Sequence, residues 1–262
     1  MKKIVACLVL LIVGVCACAC SKEVHTETVP FEKGDAKIIA HRGLSGLEVE
    51  NTDSAFVSAG ERSYYGIETD IRRTGDGQFV ICHDETVKRL SGQDIPVEGT
   101  SLEELLSIPL LPKNEGGKVE HLTTLESYIA ICKRYDKQAI LELKSDFTQE
   151  EIARIIATIQ AQNYINKVIF ISFGYGNLTF VRNILPNQPA MYLFSELNDE
   201  VTEKLIRDKI DVAIYHKALT KKAVATFHSA GLKVNCWTID DKARAEKLVS
   251  WGVDYITTNI LE

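Results

Sequence analysis

His41-Arg42-Gly43, Glu68 and Asp70, His83-Asp84, and Glu142 and Lys144 are short polar groupings, each at the end of an apolar, β-rich run. Glu68 and Asp70 are two residues apart, as are Glu142 and Lys144, so on a strand each pair shares one face. Three carboxylates brought together repel unless one is protonated or a cation lies among them. Such oxygen ligands suit one hard divalent cation, Ca²⁺ or Mg²⁺. His41 and His83 have the chemistry of a general acid and a general base near neutral pH. Arg42 and Lys144 add positive charge for an anionic group such as a phosphate. As a set these groups suit phosphodiester cleavage better than acyl transfer, and neither a G-x-S-x-G elbow nor a P-loop occurs.

Each grouping alone has a plainer reading. An isolated histidine at a strand end is usually a polar surface group, and Lys144 also reads as an exposed partner of Glu142 worth little to stability. The inference rests on conjunction, with four strand ends each supplying one part of a single constellation.

The elements that must position these groups alternate. Candidate strands are Lys37–Ala40, Gly66–Ile71, Gln78–Cys82, Gln138–Leu143, Lys167–Ser172, Ala190–Phe194, Val212–Tyr215, Lys233–Trp237 and Asp254–Thr257. Between most of them lie helical patterns with i, i+3, i+4 apolar spacing: Thr52–Glu61, Leu125–Arg134, Thr148–Gln162, Asn177–Leu185, Asn198–Lys209, Lys221–Ala230 and Lys242–Ser250. Thr148 and Glu151 form a capping-box pattern, and Gly231 and Gly252 read as helix stops. Repeated βα units imply a parallel sheet with helices outside, and this many fit a closed (β/α)₈ TIM barrel. The count of strand candidates is one too many. Gly66–Ile71 and Gln78–Cys82 are joined by a link too short for a helical crossover, so one of them is an extension or a loop strand. Residues 84–124, with Pro96, Pro109, Pro112 and Gly116-Gly117, read as a small inserted segment on one rim. Active sites of such barrels lie at the C-terminal strand ends, where all the polar groupings fall.

The N-terminus reads as a targeting segment. Met1-Lys2-Lys3 is a positive n-region, and the apolar run Ile4–Val15, about 12 residues, is too short to span a bilayer comfortably. Small residues before cysteine resemble a bacterial lipoprotein box. This gives residues 1–19 as a signal peptide, Cys20 as the lipidated residue (Cys18 as the alternative), and residues 20–36 as a lipid-attached tether. Residues 37–262 form the catalytic domain. The reading places the protein outside the cytoplasm, anchored by lipid and facing the periplasm or cell surface. The globular part keeps only Cys82, Cys132 and Cys236 of seven cysteines, which is no disulfide framework and no zinc box. They read as small buried hydrophobes. A chain of 262 residues with 45% hydrophobic and 25% charged residues is ordinary for a globular protein. Its net charge of −6 lacks the footprint of a general nucleic-acid binder.

The linked pattern Ile39-Ala40-His41-Arg42-Gly43, Glu50-Asn51-Thr52, Ile67-Glu68-Thr69-Asp70, Thr74-Gly75-Asp76-Gly77 and His83-Asp84 resembles the glycerophosphodiester phosphodiesterase family. The resemblance continues through Leu141-Glu142-Leu143-Lys144, Ser172-Phe173, Trp237-Thr238-Ile239-Asp240 and Gly252–Thr258, covering nearly all of residues 37–262. It implies a TIM barrel with a small insertion and hydrolysis of glycerophosphodiesters to glycerol 3-phosphate and an alcohol. By the resemblance, His41 and His83 match the catalytic histidines, and Glu68, Asp70 and Glu142 match ligands of one divalent cation. Arg42 and Lys144 match phosphate contacts. Phe173 and Trp237 match aromatic residues near the glycerol pocket, although core or rim packing is an equally plain account of them. Glu50 and Asn51 match a rim-supporting motif, with Asn51 also placed as a helix N-cap. The sequence departs from the family at Val49, where proline is frequent, and at Asp240, where asparagine is usual and where a carboxylate would change pocket polarity. The rival readings are a cyclising phospholipase-type phosphodiesterase of the same barrel type and a non-catalytic binding lipoprotein.

Overall fold

The computed structural model describes residues 25–262, so the signal segment, Cys18 and Cys20 lie outside the described residues. Eight parallel strands close a barrel: β1 (Lys37–Ala40), β2 (Gly66–Arg73), β4 (Gln138–Leu143), β5 (Val168–Ser172), β6 (Ala190–Phe194), β7 (Asp211–Tyr215), β8 (Val234–Trp237) and β9 (Tyr255–Thr258). Closure runs through β1, which pairs with β9 on one side and with β2 on the other. β3 (Phe79–Ile81) is the surplus strand. It pairs antiparallel with the far end of β2, Ile71 against Ile81 and Arg73 against Phe79, and is no barrel stave. The short link that ruled out a crossover is a turn, with Gly77 at φ +74°.

Strands buried on both faces read as apolar runs, and the barrel explains why. Ile39, Ile140, Ile169, Ile171, Met191 and Leu193 belong to the cluster packed inside the barrel. Alternate residues such as Ala40, Ile67, Leu141 and Phe170 pack against the helical layer. Burying each large side chain contributes about 1.5–3 kcal/mol before chain entropy is set against it. Thr52, Thr124, Thr148, Asn198, Thr220 and Asp241 open helices by accepting a backbone N–H, and Thr148 with Glu151 makes the full capping box. Asn51 is not the N-cap expected of it. That place belongs to Thr52, while Asn51 stands one residue earlier at φ +57° with its side chain turned inward.

The segment after β3 builds a satellite core of Val87, Val97, Leu105, Ile108, Leu110 and Leu122 against Val80 and Cys82. Departure Val49 also packs there, buried. The insertion is therefore a packed cap on one rim. Part of the stretch read as a lipid-attached tether, from Thr28 onward, is hydrogen-bonded to the C-terminal end of the chain. Val29 exchanges backbone hydrogen bonds with Ile260 and Glu262, and Phe31 is buried. Cys82, Cys132 and Cys236 are buried free thiols. Among the described residues no helix is long and apolar enough to cross a membrane.

Candidate active site

Strand parity explains why acids appear inside this barrel only at one end. On β4, Ile140 and Glu142 point the same way, and Glu142 pairs in register with Asp70 of β2. The apolar layer thus gives way to carboxylates at the C-terminal rim. Glu68, Asp70 and Glu142 are all buried, and each offers an oxygen within 4.8 Å of the others. Burial, Asp70 and Glu142 push the Glu68 carboxyl well up. Burial and Asp70 raise Glu142 to about 7. Burial also works against ionised Asp70, but Arg42, His83 and Lys144 outweigh it and hold Asp70 below its usual range.

Asp70 Oδ2 accepts a hydrogen bond from Asn51 Nδ2 at 2.9 Å, while Asp70 Oδ1 is buried without a hydrogen-bond partner. Asn51 Oδ1 accepts from Thr69 Oγ1 at 2.8 Å, so the amide is gripped from both ends. An orphaned carboxylate oxygen beside two other buried carboxylates is what a hard divalent cation would satisfy. The donor set fits such an ion.

The turn after β1 brings up the first histidine and cation. Arg42 adopts φ +53° and donates its backbone N–H to Glu68 Oε2 at 2.8 Å. Gly43 follows at φ +75°, and a Cβ there would lie 2.7 Å or less from the Ala55 backbone, so glycine is required. The Arg42 Nη1 donates to Glu50 at 2.8 Å, and its Nε is 3.4 Å from Asp70. Lys144 Nζ is 2.9 Å from Glu142 and 3.9 Å from Asp70.

The two histidines have different partners. His41 Nδ1 is 2.7 Å from Asn259 Oδ1, an amide oxygen. Burial and Arg42 lower His41 to about 4. His83 Nδ1 is 2.7 Å from the Asp84 carboxylate, and burial outweighs Asp70 and Asp84 to leave it somewhat below its ordinary value. Asp84 takes a hydrogen bond from Arg89 Nε at 2.7 Å, and Arg89 also grips Glu50 through both Nη atoms. A continuous charged chain, His83–Asp84–Arg89–Glu50–Arg42, therefore rims the site.

A cleft lies between these groups. Its lining includes His41, Arg42, Glu68, His83, Glu142 and Lys144, so the polar groupings seen in sequence meet there; Asp70 lies just behind them. Phe173 and Trp237 also line the cleft, edge to face at 5.6 Å between ring centroids, with Lys144 Nζ 5.9 Å from the Phe173 ring. Phe173 remains 45% exposed, whereas Trp237 Nε1 is anchored on Ala213 O at 3.0 Å. Asp240 is not among the lining residues. It sits behind Asn259, so the expected change in pocket polarity does not follow. Sequence reasoning missed Arg89, Asn235, Thr257 and Asn259, which local patterns do not mark.

Residues 41–262 match the Glycerophosphoryl diester phosphodiesterase family. The chain belongs to this family. It is a glycerophosphodiester phosphodiesterase by that membership, a phosphoric diester hydrolase. A glycerophosphodiester phosphodiesterase of Caldanaerobacter subterraneus is 30% identical over 228 residues, covering 85% of this chain and 93% of the relative. One from Bacillus subtilis is 27% identical over 247 residues, covering 84% and 82%. Among solved structures, an Oleispira antarctica phosphodiesterase in complex with the product sn-glycerol-3-phosphate superposes with a TM-score of 0.76 at 28% identity, covering 85% of this chain and 92% of that one. A glycerophosphodiester phosphodiesterase of Parabacteroides distasonis superposes with a TM-score of 0.72 at 26% identity, covering 87% and 94%. The barrel of this phosphodiesterase is thus shared across the family.

Proposed function

We propose that this phosphodiesterase hydrolyses glycerophosphodiesters to glycerol 3-phosphate and an alcohol, using His41 as general base and His83 as general acid. The observation that carries the reading is the convergence of both histidines, two cations and three buried carboxylates on one cleft. The product complex of the Oleispira antarctica relative supports the substrate class. Glu68, Asp70 and Glu142 would hold one divalent cation, Ca²⁺ or Mg²⁺. When bound, that ion would neutralise the carboxylates and polarise a phosphate oxygen.

The partners of the histidines separate their roles. His41 is buried and adjoins Arg42, and both favour the neutral ring. Its free nitrogen is then a proton acceptor. His83 faces the Asp84 carboxylate, which offsets part of the effect of burial, so its ring is the more readily protonated of the two. A hydroxyl of the glycerol moiety, or water, loses its proton to His41 as it attacks phosphorus. The P–O bond to the leaving alcohol breaks, and His83 protonates that oxygen. Where the glycerol hydroxyl attacks, a cyclic phosphate forms and water then opens it. Arg42 and Lys144 stabilise charge developing on the phosphoryl oxygens. Phe173 and Trp237 give the glycerol carbons an apolar wall.

The positive n-region, the short apolar run and Cys20 support export, with a lipid anchor at Cys20 and the enzyme facing the periplasm or cell surface. Phosphorus NMR of a glycerophosphodiester turned over by the enzyme tests the reaction. Glycerol 3-phosphate as the end product is expected. Accumulation of a cyclic phosphate that is never opened would assign the cyclising reaction instead.

A further inference from the structure

We propose that Asp240 is a positioning residue that fixes the ring tautomer of His41 through the side chain of Asn259. The inference deepens the role given above to His41 and rests on it. Asp240 lies in the loop after β8, and Asn259 follows β9, beside the cleft. Asp240 Oδ1 accepts the Asn259 backbone N–H at 2.8 Å and the Thr258 hydroxyl at 3.0 Å. Its Oδ2 is 2.6 Å from the Asn259 side-chain nitrogen.

A carboxylate only accepts hydrogen bonds, so the Asn259 group facing it is the NH₂. The amide oxygen is then turned the other way. There it meets His41 Nδ1 at 2.7 Å and the Ser45 hydroxyl at 2.7 Å. An amide oxygen also only accepts. His41 must therefore carry its proton on Nδ1, which leaves the Nε2 lone pair as the base. Because burial and Arg42 keep the ring neutral, its tautomer decides whether it can accept a proton at all.

In this chain, where residue 259 is itself an asparagine, Asp240→Asn sets two amides side by side and reverses the polarity of this relay. The Asn259 backbone N–H is a fixed donor and keeps the new side chain's oxygen. The new NH₂ then faces the NH₂ of Asn259, and Asn259 flips to turn its oxygen toward it. Its NH₂ now faces His41 Nδ1, which must accept, and the ring proton moves to Nε2. The base is lost while the cleft walls are unchanged. Adding Asn259→Asp restores an acceptor facing His41, since that carboxylate accepts from the new amide on one side and from Nδ1 on the other.

The test uses the full chain with ¹⁵N-labelled histidine, together with steady-state kinetics. Long-range ¹H–¹⁵N spectra should show His41 protonated at Nδ1 in the wild type, at Nε2 in Asp240→Asn, and at Nδ1 again in the double variant. The kcat should fall at least about tenfold in Asp240→Asn with KM within about threefold, and the double variant should recover most of it. A wild-type His41 protonated at Nε2, or a tautomer indifferent to Asp240→Asn, would overturn the proposal. So would a kcat loss that the double variant fails to reverse. The spectra need no turnover, so failure of the relay and failure of the reaction assignment are read separately.

Discussion

Asn51→Ala tests how the acidic cluster is held. The amide is fully buried and makes two hydrogen bonds, to Asp70 at 2.9 Å and from Thr69 at 2.8 Å. Removing it strips the charged Asp70 of a donor, at about 1.5–3 kcal/mol, and leaves the Thr69 hydroxyl without its acceptor, at about 1–3 kcal/mol. Alanine must also adopt the left-handed conformation that Asn51 holds at φ +57°, which costs about 1 kcal/mol. The combined destabilisation is about 3.5–7 kcal/mol. Asn51→Gly makes the same polar loss without the backbone penalty, so it should be about 1 kcal/mol milder. Thr52→Ala removes the true N-cap and should cost only about 1 kcal/mol. Urea unfolding of the three variants in EDTA measures the series. If Asn51→Ala came within about 1 kcal/mol of wild type, or matched Thr52→Ala, the claim that this amide holds Asp70 would be refuted.

Other expectations follow from the same geometry. His41→Ala and His83→Ala should each lower kcat at least about a hundredfold, and near-wild-type turnover in either would remove that histidine from the mechanism. Glu142, raised to about 7 from an ordinary 4.5, binds a proton in the folded metal-free protein that the unfolded chain has released. Its stabilising contribution is complete below 4.5 and is lost as pH rises through about 7. His41, lowered to about 4 from 6.5, contributes with the opposite sign only below 6.5. With Glu68, also raised, acting in the same sense, thermal stability in EDTA should therefore fall as pH rises from about 6.5 through 7, and added Ca²⁺ or Mg²⁺ should abolish the fall; a flat or rising profile in EDTA would contradict this. Phe173→Ala, at a half-exposed wall position, should raise KM severalfold while costing about 1 kcal/mol of stability. An unchanged KM would take Phe173 out of substrate contact.

Much of this was legible because strands buried on both faces leave apolar runs, and because a barrel sends its polar residues to one end. All eight staves were visible on that basis. The surplus run found its place only through antiparallel pairing on β2, a long-range choice that its own residues do not state. Asn51 misled because asparagine before a helix fits a cap locally, whereas its real partners lie on β2. The docking of Val29 against the C-terminus, Arg89 on Glu50, and Asn259 on His41 all join distant segments. Periodicity reports what a residue does to its own element. It is silent about which side chain closes a network across the rim.

The most direct test is turnover of a glycerophosphodiester by the wild-type enzyme and by Glu142→Gln, each stripped with EDTA and then titrated with Ca²⁺ or Mg²⁺. Glycerol 3-phosphate should appear only with the cation, and Glu142→Gln should need far more cation or stay inactive. Full activity in EDTA, or a wild-type cation response in Glu142→Gln, would contradict the account.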